Sequence, residues 1–293
     1  AEKPFLIKGK EDLVMLSRLS LDSTRYVFYT DKNYRLTQDI IFDSSKTWTP
    51  ISGWRWDSFK GVFDGDGHVI SNLLVNLDPS GSITESKAAF IANALGATIK
   101  NLGIKNANIR GRYAAAIVAD AADVKIINCW NDHSNIYGGS RGGGIVGSAE
   151  SSILLDRCFN TGTIDGEYDI GGLIGELSVK ERSYILNSYH RGKLAKKSSS
   201  NKYAFYGFVR SSPLLVQQNL YTTDSLASNV CAECTNDNIY HLKRNEKDST
   251  GLSEKEMKSR DFAERLGEAF AYDSLGANDG FPILSGKEVP LPV

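Results

Sequence analysis

Apolar doublets recur through the middle of the chain at a nearly constant interval. Phe90-Ile91, Ile117-Val118, Ile145-Val146 and Leu173-Ile174 begin 27, 28 and 28 residues apart. A second track runs through Leu73, Leu102, Cys129, Cys158 and Ser188, with steps of 29, 27, 29 and 30. A third holds Ile109, Ile136, Ile164 and Leu194, with steps of 27, 28 and 30. One period shared by three columns restricts the chain to a repeat architecture, because each repeat must bury its apolar positions against its neighbours.

The chemistry of the repeat selects the architecture. The apolar segments are short and β-branched, and Gly111, Gly138-Gly139, Gly162, Gly166 and Gly192 stand between them as turn residues. A two-helix repeat needs windows of about 10–12 residues with 3.6 periodicity, which are missing. A propeller blade needs about 40 residues or more. The expected fold is therefore all-β: a right-handed parallel β-helix of about six coils of ~28 residues, with three strands per coil. It is read as one domain. Residues 1–58 form an N-terminal cap and first strands, 59–225 the coils, and 226–293 a loop, a short helix and a closing strand.

Both ends of an open solenoid expose strand edges and need cover. Leu13, Leu16 and Leu19 have helical spacing at the N-terminus. Near the C-terminus, Ser253 with Glu256 three residues on is a capping box, followed by Met257, Phe262 and Leu266 and then Gly267 as a stop. This helix and Phe281-Pro282-Ile283-Leu284 are expected to close the far end.

Composition narrows the partners. With 34 basic and 35 acidic residues the net charge is −1, without the basic excess of a nucleic-acid or anionic-lipid binder. No apolar run approaches the roughly 18–20 residues of a membrane span. The chain opens on Ala1, which is read as the trace of a trimmed targeting segment. No cofactor is expected.

Gly144-Ile145-Val146-Gly147 and Gly172-Leu173-Ile174-Gly175, each followed by a strand of the type Arg157-Cys158-Phe159-Asn160 or Asn187-Ser188-Tyr189-His190, resemble the GLUG-motif proteins of bacterial surfaces and secretions. The segments Phe59 to Ile70 and Asn278 to Leu284 resemble that family too. The resemblance implies a secreted or cell-surface β-helix. Similar repeats accompany immunoglobulin-cleaving metallopeptidases, but His68, His133, His190 and His241 are too scattered to form their zinc signature.

Three sets of residues are candidates for function. Trp130, Phe159 and Tyr189 each follow the Cys129–Cys158–Ser188 track. If that track points inward, they form an exposed ladder beside Asn131, Asn160 and His190, suited to a glycan or a protein; with the opposite parity they are core. Asp120 and Glu176 lie at one phase two coils apart, near the carboxylate separation of an inverting glycosidase; the competing reading is a pair of solvated turn carboxylates. Asp64 and Asp66 in an Asp-Gly-Asp-Gly stretch resemble a calcium-loop fragment, but Val69 and Val75 stand where an EF-hand needs Gly and Glu, and the favoured reading is a tight turn between strands with no metal. Cys231 and Cys234 are candidates for a local disulfide, and Cys129 and Cys158 for free stacked thiols. The leading expectation is a non-catalytic module binding an extracellular glycan or protein. The alternatives are a polysaccharide-degrading enzyme and a structural stalk.

Overall fold

In the computed structural model, which describes residues 3–53, 57–82, 84, 86–195, 202–203, 205–209, 215–223, 235–241 and 251–285, the chain winds into a parallel β-solenoid of about seven turns. Every pairing between coils is parallel, as stacked repeats require. Phe5–Ile7 pairs with Tyr34–Leu36, and that strand with Val62–Asp64. Leu215–Thr222 pairs with Thr235–His241 at the other end. Strand stacking therefore begins before Phe59 and continues past residue 225, which adds a turn to the expected six.

The periodic columns are the rungs. Val75, Ile109, Ile136, Ile164 and Leu194 stand in one register. Ile91, Val118, Val146 and Ile174 stand in another, and Phe63, Ile99, Ile126, Leu155 and Ile185 in a third. Ile117, Ile145 and Leu173 are bonded rung to rung through their backbones, at 3.2 and 2.9 Å, and all three are fully buried. Each burial removes a side chain from water at a gain of about 1.5–3 kcal/mol, which no isolated coil could realise.

One inward column changes character along the axis. Ile40, Ile70 and Ile104 fill it at the N-terminal side, then Asn131, Asn160, His190 and Thr222 take over, all buried. Buried amides need partners. Asn131 donates to Asn160 at 2.8 Å, and Asn160 meets His190 Nδ1 at 3.1 Å.

Helix Lys10–Ser20 buries Leu13 and Leu16, as the spacing predicts. Helices Glu254–Met257 and Arg260–Arg265 follow, and Ser253 and Glu256 form the capping box. Phe270–Ala271 pairs antiparallel with Ile283–Leu284. This C-terminal segment does not simply lie over an end. Met257, Phe262, Leu266, Phe270 and Phe281 cluster with Tyr189 and Tyr221, so it packs on the flank of the last turns. The reason is that those two tyrosines point outward and need cover.

A corner is built from left-handed backbone. Asn101, Asn128, Arg157, Asn187 and Asn219 recur there with φ between 47° and 54°. Asparagine tolerates this conformation because its amide can satisfy local partners. Asn128 donates to Asn101 at 2.9 Å, and Asn101 to Asp64 at 3.0 Å. Asn219 donates to Asn187 at 2.9 Å, and Asn187 to Asp156 at 2.8 Å. Two amide ladders thus each end on an aspartate, with Arg157 interrupting between them. Replacing Asn128 by Ala removes both the conformational preference and the ladder bond, and is expected to cost about 1–2 kcal/mol in urea unfolding. The exposed Asn135→Ala is expected to stay within about 0.5 kcal/mol of the parent.

Candidate functional site

Cys129, Cys158 and Ser188 are fully buried, so their column points inward. The next residues point out: Trp130 and Phe159 are half-buried, whereas Tyr189 is buried beneath the C-terminal segment. The structure thus divides the expected ladder into an accessible part and a covered part. Asn131, Asn160 and His190 alternate back into the interior, and direct contact with an outside ligand is closed to them.

The aromatic column is stacked. Trp130 and Phe159 lie 6.0 Å apart with rings 12° from parallel, and Phe159 and Tyr189 lie 4.9 Å apart at 3°. Tyr221 continues the stack at 4.8 Å. On the far side of Trp130 the rung holds Gly103, where a Cβ would come within 2.4 Å of the indole. Glycine is required there because the indole occupies the space of the missing side chain. Both faces of Phe159 are therefore covered by rings, and Trp130 is held between Phe159 and the Gly103 backbone. The column shows ring edges to solvent.

Those edges line a groove of about 690 Å³ between the solenoid flank and the C-terminal segment. Asp132, His133, Thr161 and Arg191 line it from the solenoid side, and Asp279, Ile283 and Leu284 face them. Arg191 fastens the two walls. It donates to Asn278 Oδ1 at 2.5 Å, pairs with Asp279 at 2.9 Å, and lies 4.6 Å over the Phe281 ring. Asp132 accepts from Thr161 at 2.9 Å and pairs with Lys105 at 3.0 Å and His133 at 2.5 Å. Burial pulls its carboxyl upward, but the hydrogen bonds from Lys105, Thr161 and His133 outweigh that and hold it below the ordinary aspartate range.

The other expected sites are arranged differently. Asp120 and Glu176 do share a register column with Ser148 between them. They are not solvated turn carboxylates: both sit on strands, Asp120 pairs with Lys87, and the buried Glu176 pairs with Arg141. Arg141 also donates to Tyr113 Oη. Asp64, weighed as a metal ligand, is buried and held by Arg35 and Lys100, each at 3.3 Å, while Asp66 is exposed. Two cations already neutralise the carboxylate that a metal would need. Among the described residues, no three His, Cys, Asp or Glu side chains converge as metal ligands. Cys129 and Cys158 are free, buried thiols in adjacent rungs, and burial pushes Cys129 up to about 12. Cys231 and Cys234 lie outside the described residues.

Sequence reasoning missed Asp132, Thr161 and Arg191, which face the groove, and Lys87 and Arg141, which engage the carboxylate column. Asp132 and Thr161 sit two positions after Trp130 and Phe159, and alternation along a strand places i and i+2 on one face. That signal was readable. Nothing local marks Lys87, whose partners come from other strands.

Fold and site together define a parallel β-solenoid with an aromatic-edged side groove. No family model matches the chain. Halomucin of Haloquadratum walsbyi is 29% identical over 166 residues, which is 53% of this chain and 2% of that protein. An immunoglobulin A1 protease of Streptococcus pneumoniae is 32% identical over 141 residues, 45% of this chain and 6% of that protein. The chain thus spans a small fraction of these relatives' length. A solved structure from Bacteroides ovatus, assigned provisionally as an immunoglobulin A1 protease, matches with a TM-score of 0.66 at 17% identity. It covers 98% of this chain and 93% of that one, and the likeness is one of fold. No helix among the described residues is long and apolar enough to cross a membrane.

The depressed Asp132 carboxyl links the groove to pH. Its stabilising contribution is complete above the ordinary aspartate value of 3.8 and is lost as pH falls through the lower folded value. Asp132→Asn is therefore expected to lower the urea midpoint at pH 7 and to weaken the acid dependence of stability below pH 3.8. Parallel unfolding series at stepped pH give the comparison, and an unchanged acid limb would remove Asp132 as its source.

Proposed function

We propose that the chain is a non-catalytic binding segment of a larger extracellular protein, and that its aromatic-edged groove takes an extended stretch of a protein ligand. The observation that carries this reading is the covered state of the rings. A sugar stacks on a free aromatic face, and neither Trp130 nor Phe159 has one along the column. What they offer is an apolar edge flanked by Thr161, Asp132 and Arg191, with Ile283 and Leu284 opposite. Alternating apolar and hydrogen-bonding groups of this kind suit a peptide.

Two further observations support the reading. Glu176 is committed to the Arg141 guanidinium, which takes away one of the two carboxylates that polysaccharide cleavage would use there. The chain spans 2% and 6% of its long relatives, as a segment of a larger assembly would. One of them is named for an immunoglobulin substrate, which is extracellular, and this supports a secreted or surface location.

Peptide and glycan arrays probed with the whole chain, the Phe159→Ala variant and the exposed-site control Asn135→Ala give the test. Peptide hits weakened about tenfold or more by Phe159→Ala, corresponding to about 1.4 kcal/mol or more, are expected. Groove-dependent glycan hits without peptide hits would overturn the ligand class. Binding that ignores Phe159, or no hit on either array, would overturn the groove assignment.

A further inference from the structure

Among the described residues Lys87 is the one lysine that is buried. Its side chain is 3% exposed, and its Nζ lies 2.5 Å from Asn93 Oδ1 and 2.6 Å from Asp120 Oδ2. The three come from different strands at a sharp corner. Lys87 is in register with Tyr113 on the next rung, and Asn93 with Asp120. Tyr113 packs with Ala89 and Ala119, which immediately precedes Asp120, so the corner is lined on one side by apolar groups. Asn93 is itself buried, and its Nδ2 is fixed on the Ser52 carbonyl at 2.8 Å, which leaves its oxygen to accept from the lysine with the carboxamide carbon one bond beyond.

An amine, a carboxamide and a carboxylate are thus held in contact where water is scarce. Enforced proximity lowers a barrier that would otherwise need two groups to meet in solution. Lysine is a competent nucleophile at a carbonyl carbon once it has lost a proton, and a carboxylate in hydrogen-bond contact can take that proton. We infer that Lys87 and Asn93 join as an intramolecular isopeptide bond, with Asp120 as the proton-transfer group.

The step balances without a co-reactant. Asp120 accepts a proton from the Nζ ammonium, and the freed Nζ lone pair forms a bond to Asn93 Cγ. The tetrahedral centre then collapses, the Cγ–Nδ2 bond breaks, and Nδ2 departs as ammonia after receiving a second proton that originates on Nζ. Asp120 gives its proton to the departing ammonia. Overall, one lysine ammonium and one carboxamide become one secondary amide and one ammonium ion, with no change in oxidation state. Asn93 and Asp120 both line a surface groove of about 630 Å³, and Asp120 keeps 20% of its side chain exposed, so ammonium has a route out.

The same register column contains a contrast. Two rungs above Asp120, Glu176 is paired with Arg141, and Ser148 stands between. A guanidinium stays protonated and Ser148 offers no carboxamide, so that end cannot undergo the same condensation. The Lys87 end alone brings together all three groups that the condensation needs.

The purified full chain, denatured and weighed intact, gives the direct test. The expected mass is lower than that of the sequence by one ammonia. Trypsin is expected to leave residues 61–100 as a single peptide, because the modified Lys87 is no longer a cleavage site. Lys87→Arg and Asp120→Ala are expected to restore the full mass, while Glu176→Gln keeps the loss. Ring closure of Asn93 onto its own backbone would give the same mass change, but it leaves Lys87 cleavable and survives in Lys87→Arg; that outcome overturns the proposal. So does a full-mass parent chain releasing 61–87 and 88–100 separately. The parent measurement decides even if a variant fails to fold.

Discussion

Parallel backbone hydrogen bonding between successive coils is the constraint on which the rest of the molecule depends. It places each residue directly above its counterpart one turn earlier, so the side chains of a column face the same way along its length. An apolar column becomes core, an asparagine column becomes a corner, and an aromatic column becomes a stack. The Asp64–Asn101–Asn128 and Asp156–Asn187–Asn219 ladders show how this spreads polar satisfaction as well as packing. An amide in a left-handed turn would otherwise leave a donor unsatisfied, and the copy in the adjacent turn is placed to receive it.

The same constraint builds the groove. Trp130, Phe159, Tyr189 and Tyr221 are aligned because their rungs are aligned, and the C-terminal segment fully buries the last two while Trp130 and Phe159 stay half-buried. Where cover stops, the ring edges meet solvent, and Arg191 holds the covering segment to the flank from the boundary. The charged side of the solenoid follows the same logic with opposite content. Asp120, Ser148 and Glu176 are stacked by register, and Lys87 and Arg141 reach them from the neighbouring leg of the coil.

The architecture was legible because its signal is long-range and redundant: Ile109, Ile136, Ile164 and Leu194 predict their own stacking. The orientation of the aromatic track was not, and the cause is physical. Ile126 and Cys129 both point inward although three positions separate them, which strict alternation forbids. The left-handed Asn128 between them resets the parity, and nothing in an alternation count registers that. Asn131, Asn160 and His190 misled for a related reason. Polar residues read as outward-facing, but these hydrogen-bond to one another along an inward column. Lys87 was invisible because its neighbours depend on how two legs of a coil fold against each other, which spacing along one strand does not encode.

That inward column makes the cylinder unequal along its length. Isoleucine at Ile40, Ile70 and Ile104 gives way to Asn131, Asn160, His190 and Thr222, so dispersion and water exclusion are exchanged for directional contacts. In a stack where each layer leans only on the next, opening can start at any layer and spread. Such a body has a tougher end and a weaker one, and under heat or tension it would unzip from the polar side, the C-terminal segment being the clasp that delays the first layer's release.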